Sequence, residues 1–152
     1  MFEEIIGYED IKNELNTVIG WYTANEMSTS LRLPRGILLF GTPGVGKTMF
    51  LRAVKEAAPL PVYPLVVEDE ENIVLRMNDL FEEASREPHG AILLIDELDS
   101  LMDRNRKVED CLKKQMDGLE PQNRILFLAT ANGNFFYNEP LSRPGRFDRQ
   151  IR

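Results

Sequence analysis

Residues 36–57 read GILLFGTPGVGKTMFLRAVKEA, and no other stretch restricts the fold of this chain so narrowly. GILLF, 36–40, is a short apolar run bounded by glycines, the pattern of a strand buried on both faces of a parallel sheet. After it, Phe50, Leu51, Val54 and Ala57 recur at helical spacing until Pro59 and Pro61 stop them. The join, GTPGVGKT from Gly41 to Thr48, matches G-x-x-x-x-G-K-[ST] at every fixed position. Strand, glycine loop and helix in that order make a phosphate cradle. Small residues at Gly41, Gly44 and Gly46 let backbone N–H groups turn inward and approach oxygens closely. The helix beginning near Lys47 adds its positive end and its unpaired N–H groups. Thr42, Pro43, Gly44, Val45 and Gly46 are therefore candidates for nucleotide contact, with Lys47 reaching the β and γ phosphates and the Thr48 hydroxyl coordinating Mg2+. A glycine turn with a solvated lysine is the plain alternative for the same letters.

The rest of the chain repeats the alternation. Ile11, Leu15, Val18, Ile19 and Tyr22 mark an amphipathic helix behind Asp10, an expected N-cap. PVYPLVV at 61–67 is a second strand, weakened by its prolines. Ile73, Met77, Leu80, Phe81 and Ala84 mark a helix ending before Pro88, and AILLI at 91–95 is a third strand. Val108, Leu112 and Met116 predict a helix ending at Gly118, and RILFLAT from Arg124 is a fourth strand. Strands alternating with helices call for a parallel sheet covered on both faces, an α/β fold. The 152 residues fit one domain.

Just past the third strand stand Asp96 and Glu97. Carboxylates at the C-terminal end of a parallel strand lie where open α/β sheets bind ligands. Behind a phosphate cradle, Asp96 is the acid that holds Mg2+, mainly through bound water, and Glu97 the group that orients and deprotonates an attacking water. Two exposed acids ending a strand is the alternative. Asp99 enters only as a group behind them.

Charge is unevenly spread. The net charge is -7, yet residues 141–152 carry Arg143, Arg146, Arg149 and Arg152 against the single Asp148. An acidic body repels nucleic-acid phosphates, so no nucleic-acid partner is expected. A basic edge on an acidic body can instead meet another copy head to tail, a contact that closes into a ring when the geometry permits. The apolar runs are far shorter than the ~20 residues that span a bilayer, and MFEEIIGYED resembles no secretory leader, so a cytoplasmic chain with no membrane segment is expected. Cys111 and His89 are each the only residue of their type, which leaves no Cys/His metal site in the sequence and suggests structural roles for both.

Taken together these motifs resemble the AAA+ ATPases, within them the AAA group that includes FtsH-like proteases. IIGYEDIKNEL resembles the opening of that domain, GTPGVGKT its Walker A, ILLIDELD its Walker B and MDGL the helix end before the fourth strand. LATAN resembles its sensor 1 strand, and LSRPGRFDRQIR the close of its second region of homology. The resemblance implies a three-layer α/β/α sandwich, the P-loop NTPase fold with a mostly parallel five-stranded sheet whose fifth strand begins near Gln150. It implies ATP and Mg2+ as ligands, with Asn132 as the sensor that positions the lytic water. Ile6, Gly7 and Met49 would line the adenine pocket. Arg143 and Arg146 would be fingers acting on the nucleotide of a neighbouring subunit. Taken alone, Asn132 also fits a turn former in NGN, Ile6, Gly7 and Met49 fit core or turn residues, and Arg149 and Arg152 fit solvated or packing arginines.

The sequence departs from the AAA pattern in two places. Between the second strand and DLF, where an aromatic pore loop is expected, it has VVEDEENIVLRMN, with Glu68, Asp69, Glu70 and Glu71 and no aromatic residue. A helical lid should follow the fifth strand and is absent, so residues 1–152 are expected to be an AAA large nucleotide-binding subdomain, either excised or minimal. No H-E-x-x-H occurs, so a protease centre is not expected in this chain. The expected activity is Mg-dependent ATP hydrolysis that is weak in a monomer and needs assembly, with a protein substrate or partner. Its alternatives are a nucleotide-controlled assembly module with little hydrolysis and the motor fragment of a larger remodelling machine or protease.

Overall fold

The structure is a computed structural model that describes residues 1–3, 5, 7–24, 34–41, 46–66, 72–119, 124–132, 139–142, 146–147 and 149–151. In chain order these form α1 (Glu9–Thr23), β1 (Gly36–Gly41), α2 (Lys47–Ala57), β2 (Val62–Pro64), α3 (Ile73–Ser85), β3 (Ala91–Ile95), α4 (Leu98–Arg104), α5 (Lys107–Asp117), β4 (Ile125–Asn132), α6 (Glu139–Ser142) and β5 (Arg149–Ile151). The strands lie in the order β2-β3-β4-β1-β5 and every pairing among the described residues is parallel.

Side chains on successive strand residues point to opposite faces, and the two faces have separate cores. Leu38 and Phe40 of β1, Leu93 and Ile95 of β3, and Phe127 and Ala129 of β4 share one cluster with Met77 and Leu80 of α3, Leu101 of α4 and Leu112 of α5. Ile37, Leu39, Ile92, Leu94, Leu126 and Leu128 meet Leu15 and Ile19 of α1 and Phe50 and Val54 of α2 in the other. The molecule is thus the expected three-layer α/β/α sandwich, with the sheet apolar on both sides because helices cover both. No helix among the described residues is long and apolar enough to cross a membrane.

Three local expectations need correction. The cap of α1 falls at Tyr8 and not at Asp10, because the Tyr8 carbonyl already accepts the Lys12 N–H at 3.0 Å. Glu9 and Asp10 then sit in the first turn, where carboxylates suit the positive end of a helix. β2 is three residues long and lies at the sheet edge, where Pro64, lacking an N–H, withdraws nothing from a second neighbour. α4 is an additional helix between the acidic pair and α5, too short for its spacing to stand out in LDSLMDR.

Candidate functional site

β1, β3 and β4 run side by side, so their C-terminal ends form one rim. The ladder sets Gly41 opposite Asn132 and Ile95 opposite Ala129, which brings the ends of three distant segments together. A cleft of about 500 Å3 opens there, lined by Tyr8, Gly46, Lys47, Thr48, Met49, Asp96, Glu97, Thr130, Ala131 and Asn132. The fold therefore gathers Gly46, Lys47, Thr48, Met49, Asp96, Glu97 and Asn132 around a single space. Thr42, Pro43, Gly44 and Val45, together with Ile6 and Arg143, lie outside the described residues. So do Arg152 and the acidic run Glu68 to Glu71.

Helix α2 starts at the edge of the cleft. Its cap, Gly46, has φ 74°, a left-handed conformation that a glycine takes without steric penalty. Like α1 and α5 this helix has no side-chain cap, but unlike them its first turn carries no acid. Its positive end is thus left for an anion. The Lys47 ammonium donates to the carbonyls of Gly41 at 3.0 Å and Ala131 at 2.8 Å, and to Asn132 Oδ1 at 3.2 Å. Its three protons are shared between the ends of β1 and β4.

The acidic side of the cleft is also held by specific bonds. Thr48 Oγ1 donates to Asp96 Oδ2 at 3.3 Å. The Thr130 hydroxyl donates to Asp96 Oδ1 and accepts the Glu97 N–H, the latter at 2.8 Å. Glu97 has φ 53° and ψ 53°, one of two non-glycine residues with positive φ among those described. Asp99 Oδ2 accepts the Asn132 N–H at 3.1 Å, while its Oδ1 is buried with no hydrogen-bond partner among the described residues. Thr48 and Asp96 offer adjacent hard oxygen donors, the kind Mg2+ takes from a protein while keeping several of its waters, so the residues present fit that ion.

Met49 and Tyr8 form the apolar side of the cleft. Both are exposed, and Tyr8 packs edge-on against Phe50 with ring centroids 5.8 Å apart. Gly7 precedes it with φ 83°.

Arg146 stands elsewhere. A Cβ on Gly36, at the start of β1, would lie 3.0 Å from the Arg146 carbonyl, whereas the cleft is at Gly41, the other end of that strand. At ~3.3 Å per residue the two ends are roughly 17 Å apart. The Arg146 guanidinium forks onto Asp117, Nε to Oδ1 at 3.0 Å and NH2 to Oδ2 at 2.8 Å, and NH1 donates to the Pro140 carbonyl. The hydrogen bond from Arg146 holds the Asp117 carboxyl below its usual value, and Asp117 in turn raises that of Arg146. Arg149 is a packing arginine: it donates to Glu14 Oε1 at 2.8 Å and lies 5.9 Å over the Trp21 ring.

Thr130 and Tyr8, which line the cleft, were not singled out as site residues by the sequence, and Asp99 was named there only as a group behind the acidic pair. Thr130 is two residues before Asn132 on a strand, hence on the same face, and is the hydroxyl residue in an otherwise apolar run. Asp99 lies three residues after Asp96, in the first turn of α4. Tyr8 follows the glycine already suspected, and its aromatic ring was the available signal.

The profile of the ATPase family associated with various cellular activities (AAA) matches residues 37–152. Among similar curated proteins, the ATP-dependent zinc metalloprotease FtsH 2 of Petrotoga mobilis is 32% identical, over 99% of this chain and 26% of that protein. FtsH of Halothermothrix orenii is 33% identical over 99% and 26%, and FtsH 4 of Sphaerobacter thermophilus 34% over 99% and 25%. The chain thus spans about a quarter of the length of these relatives.

Proposed function

The chain belongs to the AAA family, and from that premise we propose that it binds ATP with Mg2+ and hydrolyses it when assembled with neighbouring copies. One observation carries this reading: the Lys47 ammonium, Thr48 hydroxyl, Asp96 and Glu97 carboxylates and Asn132 amide converge on one cleft beside the uncapped start of α2.

The cradle from Thr42 to Thr48 would hold the phosphates, with Ile6, Gly7 and Met49 toward the adenine. Lys47 would exchange its carbonyl partners for phosphate oxygens, and as a compact cation with three donors it suits that exchange. Mg2+, held by Thr48 and Asp96, would supply charge neutralisation at the β and γ oxygens. Asn132 would orient the water, and Glu97 would take its proton as the water oxygen bonds to the γ phosphorus. The bond from that phosphorus to the bridging oxygen breaks, leaving ADP and inorganic phosphate.

Arg143 and Arg146 would complete the site of a neighbour, contributing about 10^3- to 10^5-fold in rate, or about 4 to 7 kcal/mol of barrier. Arg146 lies at the opposite end of β1 from its own Gly41, which supports action between subunits over action within one. Head-to-tail rings or partial rings follow from such an arrangement. Its bonds to Asp117 must then be exchanged for phosphate, and an arginine so well held equally favours a second reading, an assembly module that hydrolyses little. The relatives' names favour a third, the motor portion of a longer ATP-dependent protease or remodelling machine.

The test mixes Glu97→Gln with Arg143→Ala/Arg146→Ala and follows ATPase activity against protein concentration. Glu97→Gln is expected to keep ATP and lose turnover, and the mixture to recover it, since one variant supplies arginines and the other the base. Undiminished hydrolysis by Glu97→Gln would remove the base assignment. An inactive mixture at every concentration would leave the assembly module as the reading.

A further inference from the structure

Thr130 is 1% exposed, two residues from the C-terminal end of a strand whose other described side chains are apolar until Asn132. Burying a hydroxyl is unfavourable unless its hydrogen bonds are made, and valine has the same shape and an equal liking for strands. The hydroxyl therefore calls for a cause. A threonine has one proton to give and lone pairs to receive. The proton goes to Asp96 Oδ1, and a lone pair takes the Glu97 N–H at 2.8 Å. An ionised carboxylate can only accept, so committing Oδ1 to Thr130 turns Oδ2 toward Thr48, where it lies 3.3 Å from the Thr48 hydroxyl. The same group pins the backbone of Glu97 where the chain takes its left-handed turn. One hydroxyl on β4 thus sets the rotation of the acid at the end of β3 and the backbone of the residue after it.

Resting on the reading of this cleft as a Mg–ATP site, we propose that Thr130 is a positioning residue for hydrolysis, fixing the Asp96 carboxylate for the cation and the Glu97 turn for the water without touching nucleotide. A threonine that only satisfied buried polar atoms would change stability when replaced and leave cation affinity alone.

The experiment compares full-length wild type, Thr130→Val, Thr130→Ser and Lys47→Ala. It reads ATP affinity without divalent cation, Mn2+ affinity of the ATP-bound chain by electron paramagnetic resonance, turnover at saturating Mn2+, and urea unfolding. Thr130→Val is expected to weaken Mn2+ binding and turnover by about 10- to 100-fold, the range for groups that orient a metal ligand. Its cation-free ATP affinity should stay within about twofold, an interval well inside one such contact. Thr130→Ser, which keeps the hydroxyl, should restore both quantities. Should Thr130→Val fail to fold, Thr130→Ala carries the same comparison. The inference is overturned if Thr130→Val binds Mn2+ and turns over like the wild type, or if Thr130→Ser is as impaired as Thr130→Val, since the methyl group and its packing would then be responsible. A wild type that binds no more ATP than Lys47→Ala would instead overturn the ATP reading itself, and this inference with it.

Discussion

Replacing Glu97 by glycine should make the protein more stable than replacing it by alanine, the reverse of what the same pair does within a helix. Glu97 has φ 53° and ψ 53°, and a side chain in that region costs roughly 1–2 kcal/mol that glycine avoids. Glycine in turn loses about 0.4–1 kcal/mol through its freer unfolded chain. At the midpoints of these two ranges the balance favours Glu97→Gly over Glu97→Ala by roughly 0.8 kcal/mol, against about 1 kcal/mol in alanine's favour inside a helix. Other contributions are small here. The Glu97 side chain is exposed and makes no cap to α4, so both variants delete the same few contacts. For a domain of this size the difference corresponds to about 1–4 °C in Tm. Urea and thermal unfolding of the two variants with equal m values is the assay. An alanine variant at least as stable as the glycine variant would refute the reasoning, since the left-handed turn would then not be imposed on Glu97. Both variants should also lose turnover, which would make Glu97 a position where activity and stability oppose each other.

Two further outcomes follow from groups away from the cleft. Arg146 holds the Asp117 carboxyl below its ordinary 3.8, so the pair's contribution is fully present above that value and is lost as pH falls below it. Asp117→Asn should flatten this part of the acid limb of stability against pH and cost about 0.2–1 kcal/mol near neutrality, since Asp117 is half exposed; an unchanged acid limb in urea titrations argues against the pair. Tyr63 donates to Glu87, and that bond pushes its phenol from 10.0 up to about 12, so its stabilising effect is present below pH 10.0 and fades as pH rises toward 12. The difference in tyrosinate absorbance between wild type and Tyr63→Phe should show Tyr63 titrating late, toward about 12, and Glu87→Gln should bring that difference back toward 10.0; a Tyr63 difference that stays late in the Glu87→Gln background would deny the assignment.

The sheet and its helices were legible because both signals are local. Ile37 and Leu39 against Leu38 and Phe40 already form a strand apolar on both sides, and GTPGVGKT orders strand, loop and helix by itself. Lys47, Thr48, Asp96 and Asn132 could be named because their motifs fix their places relative to strand ends. What escaped depends on contacts between segments. The pairing of Arg146 with Asp117 joins a connection before β5 to the end of α5, and nothing in RPGRFD announces it. Thr130 was read only as a strand former, since threonine suits strands whether or not its hydroxyl is used. The Asp10 cap failed for a different reason: its side chain suits a cap, but Tyr8 takes a left-handed conformation that spacing does not reveal.

The pairing of Gly41 with Asn132 fixes which changes in chain length the cleft can absorb. Their relative placement is set across the strand ladder and does not depend on how much polypeptide runs between them. Surface connections along that route can lengthen or shorten while the lysine and the amide stay face to face. A single residue added within β4 ahead of Leu128 is different, because a one-residue slip turns every following side chain to the opposite face of the sheet. Asn132 would then point away from Lys47, and Thr130 away from Asp96, although every motif in the sequence remained intact.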